Sequence, residues 1–430
     1  MVPSLANSDE DFEWTPSQQI TDTSLGAFIP DISVNPNSDM ELVHLAYVIN
    51  NSDDWQLQYK NSTQFSNDNN IIISNDTFGM QTQAKTCITS NGKVYIVWGG
   101  GIRKGFISNN TEGSFSTPTN FTKILDVFYL DAAIDESNNI HIAWVDNHEG
   151  GDTDGGVFYM FYNTTSDTFL DPVHIPDTNG NESAVSIDAW NTWDNEKAEI
   201  LANVHIAFID EDNHPEDPYG TSDTELRYIS NNGNLNTFNS TPVWVTVNNV
   251  DDLTPSIAVD KKLTGLAHLV WAQEHISGEN TYYRVQYATS ANWLAQITPS
   301  SLNNDDNLMP DVVIDSNSTA HIVWSYEDLD SWNIQYTFVD EFDCSVPIDI
   351  TNGSQNHDPT ITRDSSNNIH VVWQKGFEAN AELYYTKRQP ITASPEGGEQ
   401  TAIPGYSLLI VAVSTISFIY VIGRKLQKSN

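Results

Sequence analysis

A short pattern, an apolar residue followed by His-apolar-x-aromatic, recurs seven times, with Tyr95 in place of the histidine in the second copy, and limits the possible folds more than any other feature of this sequence. Its alternation is typical of a β-strand. Successive aromatic residues are 51, 46, 64, 63, 53 and 49 positions apart, which is the length of a four-stranded propeller blade, with insertions in two copies. The copies occupy residues 43–47, 94–98, 140–144, 204–208, 267–271, 320–324 and 369–373.

Each copy has the neighbours that a blade requires. An alternating run such as 256–260 precedes it, separated by a Ser/Asn/Gly-rich turn that favours a hairpin. A Tyr-rich run such as 226–229 follows it, and then a shorter run such as 346–350. The sequence therefore predicts an all-β, seven-bladed propeller over residues 12–389.

The number of strands predicts how the ring closes. The seventh copy has no fourth strand after it, whereas the run 12–21 precedes the first copy and is similar to 344–351. We expect residues 12–21 to pair with the strand around Leu383 to Thr386, because closure removes exposed sheet edges. Residues 1–11 are predicted to be a disordered N-terminal segment.

The C-terminal region predicts a membrane anchor. Residues 403–423 are uncharged and long enough for a helix to cross the ~30 Å hydrocarbon layer. The basic tail 424–430 places the C-terminus in the cytoplasm and the propeller outside the cell. Residues 390–402 have the Pro, Gly and Ser/Thr content of a flexible stalk.

The same region resembles the C-terminal sorting signals of archaeal surface proteins. The motif Pro404-Gly405-Tyr406 precedes the hydrophobic span, and Arg424 and Lys425 follow it. The resemblance implies that a sortase-like enzyme removes the span and attaches a lipid.

The propeller repeats resemble the sialidase-like, Asp-box-related repeats of microbial surface proteins, a class that includes enzymes, lectins and scaffolds. The Asp-box sequence Ser-x-Asp-x-Gly-x-x-Trp is missing. Sialidase chemistry also needs a clamp of three arginines, and the arginines of the propeller fall mostly near the third strands. No hydrolase or phosphate-loop motif occurs, so the sequence favours a protein without catalytic activity.

The repeated histidines and aromatic residues have a structural interpretation. One histidine per blade cannot converge with the others on a metal ion, so we expect each to be hydrogen-bonded to a neighbouring strand. The aromatic residues are expected to form the core between blades. Cys87 and Cys344 fall in different blades and are expected to be free thiols.

The acidic loops are the candidate binding region. The net charge of −40 repels nucleic acid and excludes it as a partner. Long loops are predicted between the second and third strands of blades 3, 4 and 5, the last at Glu274 and His275, and these loops should cluster with few cations nearby. The candidate ligand-binding residues are Asp146, His148, Asp152, Asp154, Asp210, Asp212, His214 and Asp217. Asp152, Asp154, Asp210 and Asp212 are the candidate ligands of a calcium ion, with a transition metal at the histidines as the alternative.

These features predict a cell-surface propeller that binds an extracellular protein or glycan, held in the membrane by its C-terminal helix. Two alternatives remain: an extracellular hydrolase or lyase acting on glycans or peptides, and a structural coat protein.

Overall fold

Antiparallel sheets arranged around one axis form the structure, a computed structural model. It describes residues 12–36, 42–51, 54–66, 70–76, 82–100, 104–111, 113–122, 126–146, 155–179, 181–196, 198–211, 223–238, 240–262, 264–278, 280–300, 305–328, 331–340 and 343–391. Among these residues no helix is long and apolar enough to cross a membrane. The predicted N-terminal segment 1–11, the span 403–423 and the motif at Pro404 lie outside them.

The chain begins with β1 (Phe12–Trp14) and β2 (Gln18–Gln19). Blade 1 contains β3 (Ala27–Val34), β4 (Val43–Asn51), β5 (Asp54–Asn61), a 3-10 turn (Ser62–Gln64) and β6 (Ile71–Asp76). Blade 2 contains β7 (Thr82–Ile88), β8 (Val94–Gly100), β9 (Lys104–Thr111), β10 (Ser114–Phe115) and β11 (Thr119–Asn120). Blade 3 contains β12 (Tyr129–Ile134), β13 (Ile140–Asp146), β14 (Gly156–Asn163), β15 (Thr168–Phe169) and β16 (Val173–His174).

Blade 4 contains β17 (Glu182–Asp194), β18 (Glu199–Asp210), β19 (Glu225–Ser230) and β20 (Val243–Trp244). Blade 5 contains β21 (Asp252–Val259), β22 (Ala267–Ser277), β23 (Asn280–Thr289) and β24 (Asn292–Ile297). Blade 6 contains β25 (Asn307–Ile314), β26 (Ala320–Asp328), β27 (Ser331–Asp340), β28 (Asp343–Cys344) and β29 (Ile348–Asp349). Blade 7 contains β30 (Asn356–Arg363), β31 (Ile369–Lys375), a 3-10 turn (Glu378–Asn380) and β32 (Glu382–Pro390).

The ring closes through its N-terminal strands, which confirms the predicted pairing. In β1, Trp14 pairs with Arg388, and in β2, Gln18 pairs with Tyr385. The amide of Ile20 then donates to the carbonyl of Leu383 at 2.8 Å. β1 and β2 thus pair with β32 as β28 and β29 pair with β27, so the similarity between 12–21 and 344–351 reflects one structural role. β32 continues through Pro390, one residue beyond the predicted end of the propeller.

The hydrophobic core is divided into clusters that lie between neighbouring blades. Each cluster contains one aromatic residue of the repeat, and that residue packs against the preceding blade. Trp144, Trp271 and Trp324 are completely buried. This confirms that the aromatic residues form the core. Because each blade covers one face of the next, the closed ring buries both faces of every sheet.

Two named faces are used below. The upper face carries the connections into the inner strands and the hairpins between the second and third strands. The lower face carries the turns between the inner and second strands, such as Asp260–Leu266, where the amide of Asp260 donates to Leu266. Pro390 also lies at the lower face, because β32 runs towards it beyond the pairing of Arg388 with Ile369.

The prediction of a long loop in blade 5 is wrong. Strands β22 and β23 extend into a regular hairpin in which Glu274 pairs with Tyr283 and His275 pairs with Tyr282. The polar sequence there forms additional strand pairs, because alternating Tyr and polar side chains suit a two-stranded ribbon. The free thiols are as predicted: Cys87 and Cys344 form no disulfide.

Candidate functional site

A cavity of about 670 Å³ lies on the axis of the ring and is lined by the inner strands of all seven blades. Seven polar side chains occupy equivalent positions around it, each opposite the residue that precedes the repeat aromatic. We call this set the polar ring. Its members, in blade order, are Asp31, Lys85, Asp131, Ser186, Ser256, Asp311 and Thr360.

The polar ring joins adjacent blades through hydrogen bonds to backbone amides. Asp31 Oδ2 accepts from the amide of Thr86 at 2.7 Å, and Asp311 Oδ2 accepts from the amide of Ile361 at 2.9 Å. Asp131 Oδ2 accepts from the amide of Ile187 at 2.9 Å in the same way. An inner strand has an unpaired edge towards the axis, so these carboxylates supply acceptors that its amides would otherwise lack.

Lys85 connects two of these carboxylates. Its Nζ lies 3.4 Å from Asp31 Oδ1 and 3.3 Å from Asp131 Oδ1. Burial raises the pKa of Asp31 to about 6, even though Lys85 and the amide of Thr86 act to lower it. Burial lowers the pKa of Lys85, but the carboxylates of Asp131 and Asp31 outweigh it, so this pKa is raised overall. Lys85 is therefore a fixed positive charge in an acidic channel.

The inner strands have strained backbone where they enter the channel from the upper face. Ile29, Thr254, Met309 and Asp358 have φ angles of 50°, 48°, 52° and 50°, and each precedes a proline. Ala184, at the same position in blade 4, has a φ of 50°. The pairing with the second strand shifts at these bulges, and all five residues line the cavity. Such strain is concentrated at functional sites, so the upper mouth of the channel is a candidate for ligand contact.

The polar ring and these bulges were not identified from the sequence, although a signal is present. A proline followed by Asp, Ser or Thr and then Ile or Val recurs at the start of four inner strands, at 30–32, 255–257, 310–312 and 359–361. Proline has no amide hydrogen to donate to a regular strand ladder, so a proline at this point of a strand predicts a bulge. The polar residue after the proline then faces the axis of the ring.

Only two of the eight predicted ligand-binding residues are described. Asp146 ends β13 and Asp210 ends β18, and both are buried. Asp210 Oδ2 accepts from Arg227 Nη1 at 2.6 Å, and Arg227 Nη2 donates to Asp177 Oδ2 at 2.7 Å. Arg227 is therefore the cationic partner of Asp210. His148, Asp152, Asp154, Asp212, His214 and Asp217 lie outside the described residues.

A buried acidic cluster lies beside Asp210 at the upper face. It consists of Asp223, Glu225 and Asp252, which are 8%, 2% and 0% exposed. Asp252 Oδ1 accepts from the indole of Trp271 at 2.8 Å, whereas Asp223 Oδ2 and Glu225 Oε2 have no hydrogen-bond partner. Burial, together with the charges of Asp252 and Asp223, raises the pKa of Glu225 to about 8, although the hydrogen bonds from Asn248 and Thr246 act to lower it. Glu225 is consequently protonated in neutral solution.

Metal ligands were searched for in the described part of the chain. It contains no group of three His, Cys, Asp or Glu side chains placed to hold a metal ion. The calcium site at Asp152, Asp154, Asp210 and Asp212 stays a prediction, as does the transition-metal alternative. The repeat histidines do not form a metal site. Each donates or accepts a hydrogen bond with a tyrosine of the adjacent third strand, as expected.

No protein-family model and no curated protein matches this sequence. Solved structures share its fold. A Dyadobacter fermentans protein of unknown function is 10% identical with a TM-score of 0.50, covering 89% of this chain and 100% of that chain. A Penicillium chrysogenum α-L-arabinanase in complex with arabinobiose is 9% identical with a TM-score of 0.50, covering 72% of this chain and 93% of that chain. The propeller domain of the Pyrococcus furiosus Trilobed protease is 10% identical with a TM-score of 0.46, covering 85% of this chain and 98% of that chain.

The two structures with a TM-score of 0.50 show the fold alone. The chain is a seven-bladed β-propeller, closed by its N-terminal strands and with a polar cavity on its axis.

Proposed function

We propose that this propeller is a binding module for an extracellular glycan, with the end of the glycan held in the upper mouth of the axial cavity. The observation that supports it is the polar ring, which presents carboxylates, hydroxyls and one ammonium group in a cavity of about 670 Å³. Such a mixture of donors and acceptors suits the hydroxyl groups of a sugar. The net charge of −40 favours a neutral glycan over a polyanionic one.

Binding is favoured over catalysis by the bonds that the carboxylates already make. Asp131 Oδ2 accepts from both the Ser186 hydroxyl and the Ile187 amide. Asp311 Oδ1 accepts from the Ser256 hydroxyl and its Oδ2 from the Ile361 amide. A general acid or base must exchange a proton with its substrate, and carboxylates held in this way are poorly placed to do so.

A screen of neutral oligosaccharides by calorimetry with the full chain tests the proposal. Ile29→Trp should obstruct the channel mouth and weaken binding at least tenfold. Ile72→Trp is the matched control, because Ile72 is also an exposed isoleucine but lies on the outer strand β6, away from the cavity. If no neutral glycan binds, or if Ile29→Trp binds as tightly as the wild type, the proposed site is wrong.

A glycan-cleaving enzyme is the second candidate function. The two contacts of Lys85 place the Oδ1 atoms of Asp31 and Asp131 at most about 7 Å apart, an upper limit that allows the separation of about 5–5.5 Å between the carboxyl groups of retaining glycosidases. The pKa of about 6 for Asp31 suits a general acid. The arabinanase of the same fold makes arabinan a reasonable first substrate. Release of reducing sugar that is abolished by Asp31→Asn would support this function, and no release from a panel of neutral glycans would count against it.

We also propose that the protein is anchored at the outer cell surface by residues 403–423. The support is the uncharged span followed by Arg424 and Lys425. Protease treatment of intact cells should remove the propeller. Protection of the propeller in intact cells would contradict this localisation.

A further inference from the structure

One inner hairpin projects from the lower face further than the others. Strands β17 and β18 contain 13 and 12 residues, whereas the inner strand β12 contains 6. The ladder continues to the pair Asp194 and Glu199 at the tip. Just before the tip, Trp193 pairs directly with Ile200, so both side chains point to the same side of the hairpin. Each is 58% exposed.

The base of this hairpin is held firmly by its neighbours. Trp190 packs on Gly265 of blade 5, where an added Cβ would lie 2.2 Å from the indole Cζ2 atom. On the other side, the amide of Asn191 donates to Glu136 Oε2 of blade 3 at 2.7 Å. Between the two strands, Asn203 Nδ2 donates to Thr192 Oγ1 at 2.8 Å. The hairpin is therefore a fixed support, and its apolar tip is presented in one direction.

The chain itself indicates what the tip faces. β32 ends at Pro390 on the lower face, so residues 391–402 leave the propeller there before the hydrophobic span 403–423. Twelve residues extend over at most about 40 Å. From Asn191 to Asp194 the projecting part of β17 adds about 10 Å. Twelve residues can therefore cover the gap of about 10 Å that the projecting tip leaves between the lower face and a membrane surface.

We infer that the Trp193–Ile200 tip inserts into the membrane interface and holds the lower face of the propeller towards the lipid. This inference rests on the proposed anchoring by residues 403–423. A tryptophan beside a branched aliphatic residue suits the interfacial region of a bilayer. The tip sequence has three carboxylates, Asp194, Glu196 and Glu199, against one lysine, Lys197, and this net negative charge favours zwitterionic over anionic lipid. The upper mouth of the channel is then directed away from the membrane, towards its ligand.

The test uses the full chain in phosphatidylcholine vesicles, with Cys344→Ser to remove the more accessible thiol. A fluorophore is attached at Ile200→Cys on the lower hairpin or, as the matched control, at Ile276→Cys on the upper hairpin of blade 5. Ile276 is 54% exposed, which is close to the value for Ile200. Nitroxide-labelled lipid should quench the Ile200→Cys label at least twofold and leave the Ile276→Cys label unchanged. Adding Trp193→Asp, or replacing part of the lipid by phosphatidylserine, should reduce the quenching.

The outcomes separate this inference from the proposal beneath it. If the chain does not float with the vesicles, the anchoring by residues 403–423 fails and the inference fails with it. If the chain floats but the Ile200→Cys label is not quenched, the anchoring stands and the inference is wrong. That result would favour a protein partner for the tip. Equal quenching at both positions would show a propeller without fixed orientation, which also overturns it.

Discussion

The hydroxyl of Tyr287 lies 2.6 Å from Nδ1 of His268, and the same contact joins the second and third strands of six blades. The equivalent pairs are His44–Tyr59, His141–Tyr159, His205–Tyr228, His321–Tyr336 and His370–Tyr385. In blade 2, Tyr95 takes the place of the histidine. The repeated histidine therefore links the buried second and third strands of its blade.

Removing one of these hydroxyls should destabilise the propeller. Tyr287→Phe leaves Nδ1 of buried His268 without its partner, and Nε2 of this ring already has none. We expect a loss of about 1–2 kcal/mol in the free energy of unfolding, measured by urea denaturation. Tyr384→Phe is the control, because that hydroxyl makes an exposed contact with Gln19 and its loss should cost less than about 0.5 kcal/mol. Equal effects of the two variants would contradict the structural role.

The buried histidines should make the protein sensitive to acid. Burial lowers the pKa of His44, His205 and His268 to about 4. The folded state thus favours the neutral imidazole ring. The contribution of each neutral ring to the free energy of unfolding is complete above pH 6.5 and is lost as the pH falls from 6.5 to 4. Each histidine should cost about 2 kcal/mol at pH 5 relative to pH 7.5. Denaturation at several pH values should show a smaller slope for His268→Gln, and an unchanged slope would count against the prediction.

Glu225 should have the opposite dependence on pH. Its pKa of about 8 lies above the ordinary value of 4.5, so the folded state favours the protonated acid. That contribution is complete below pH 4.5 and is lost as the pH rises through 8. We expect Glu225→Gln to be more stable than the wild type by about 2–4 kcal/mol at pH 9, with little difference at pH 4. Glu196→Gln, on an exposed turn, should show no such gain at pH 9.

Loss of the Lys85 charge should weaken the polar ring. Lys85→Met leaves the carboxylates of Asp31 and Asp131 facing each other without the ammonium group between them. Because Lys85 is partly exposed, solvent screens the pair, and we expect a loss of only about 1–2 kcal/mol near pH 7. The loss should shrink as the pH falls below 6, where Asp31 is protonated. Lys262→Met, at an exposed position, should leave the stability unchanged across this range.

The N-terminal strands should be essential for stability. Deleting residues 1–22 removes the pairing of Trp14 with Arg388 and the contact of the Trp14 ring with Tyr336, whose centroids are 5.0 Å apart. The melting temperature should fall sharply, because β32 becomes an open edge. Deleting only residues 1–11 is the control and should change the melting temperature little. A protein without residues 1–22 that melts like the control would refute the role of ring closure.

Much of the architecture could be predicted from local patterns. The spacing of the repeat predicted the number of blades, because each blade must bury an aromatic residue such as Trp144 against its neighbour. No fourth strand follows the strand at Leu383, and an unpaired sheet edge is unfavourable, so the N-terminal strands could be predicted to close the ring. The hairpin of β22 and β23 was mistaken for a loop, because an exposed two-stranded ribbon lacks the apolar alternation of a core strand.

The sequence by itself determined the fold class, the number of blades, the order of strands and the pairing that closes the ring. These features depend on the short-range periodicity of the sequence and on the need to bury apolar surface. Both can be read from the sequence of a single blade. Only the tertiary structure decided which polar groups meet: Lys85 between Asp31 and Asp131, and Arg227 beside Asp210. These contacts join residues of different strands or blades that are brought together by ring geometry. No local pattern encodes the distance between them, because it depends on how all seven sheets pack around one axis.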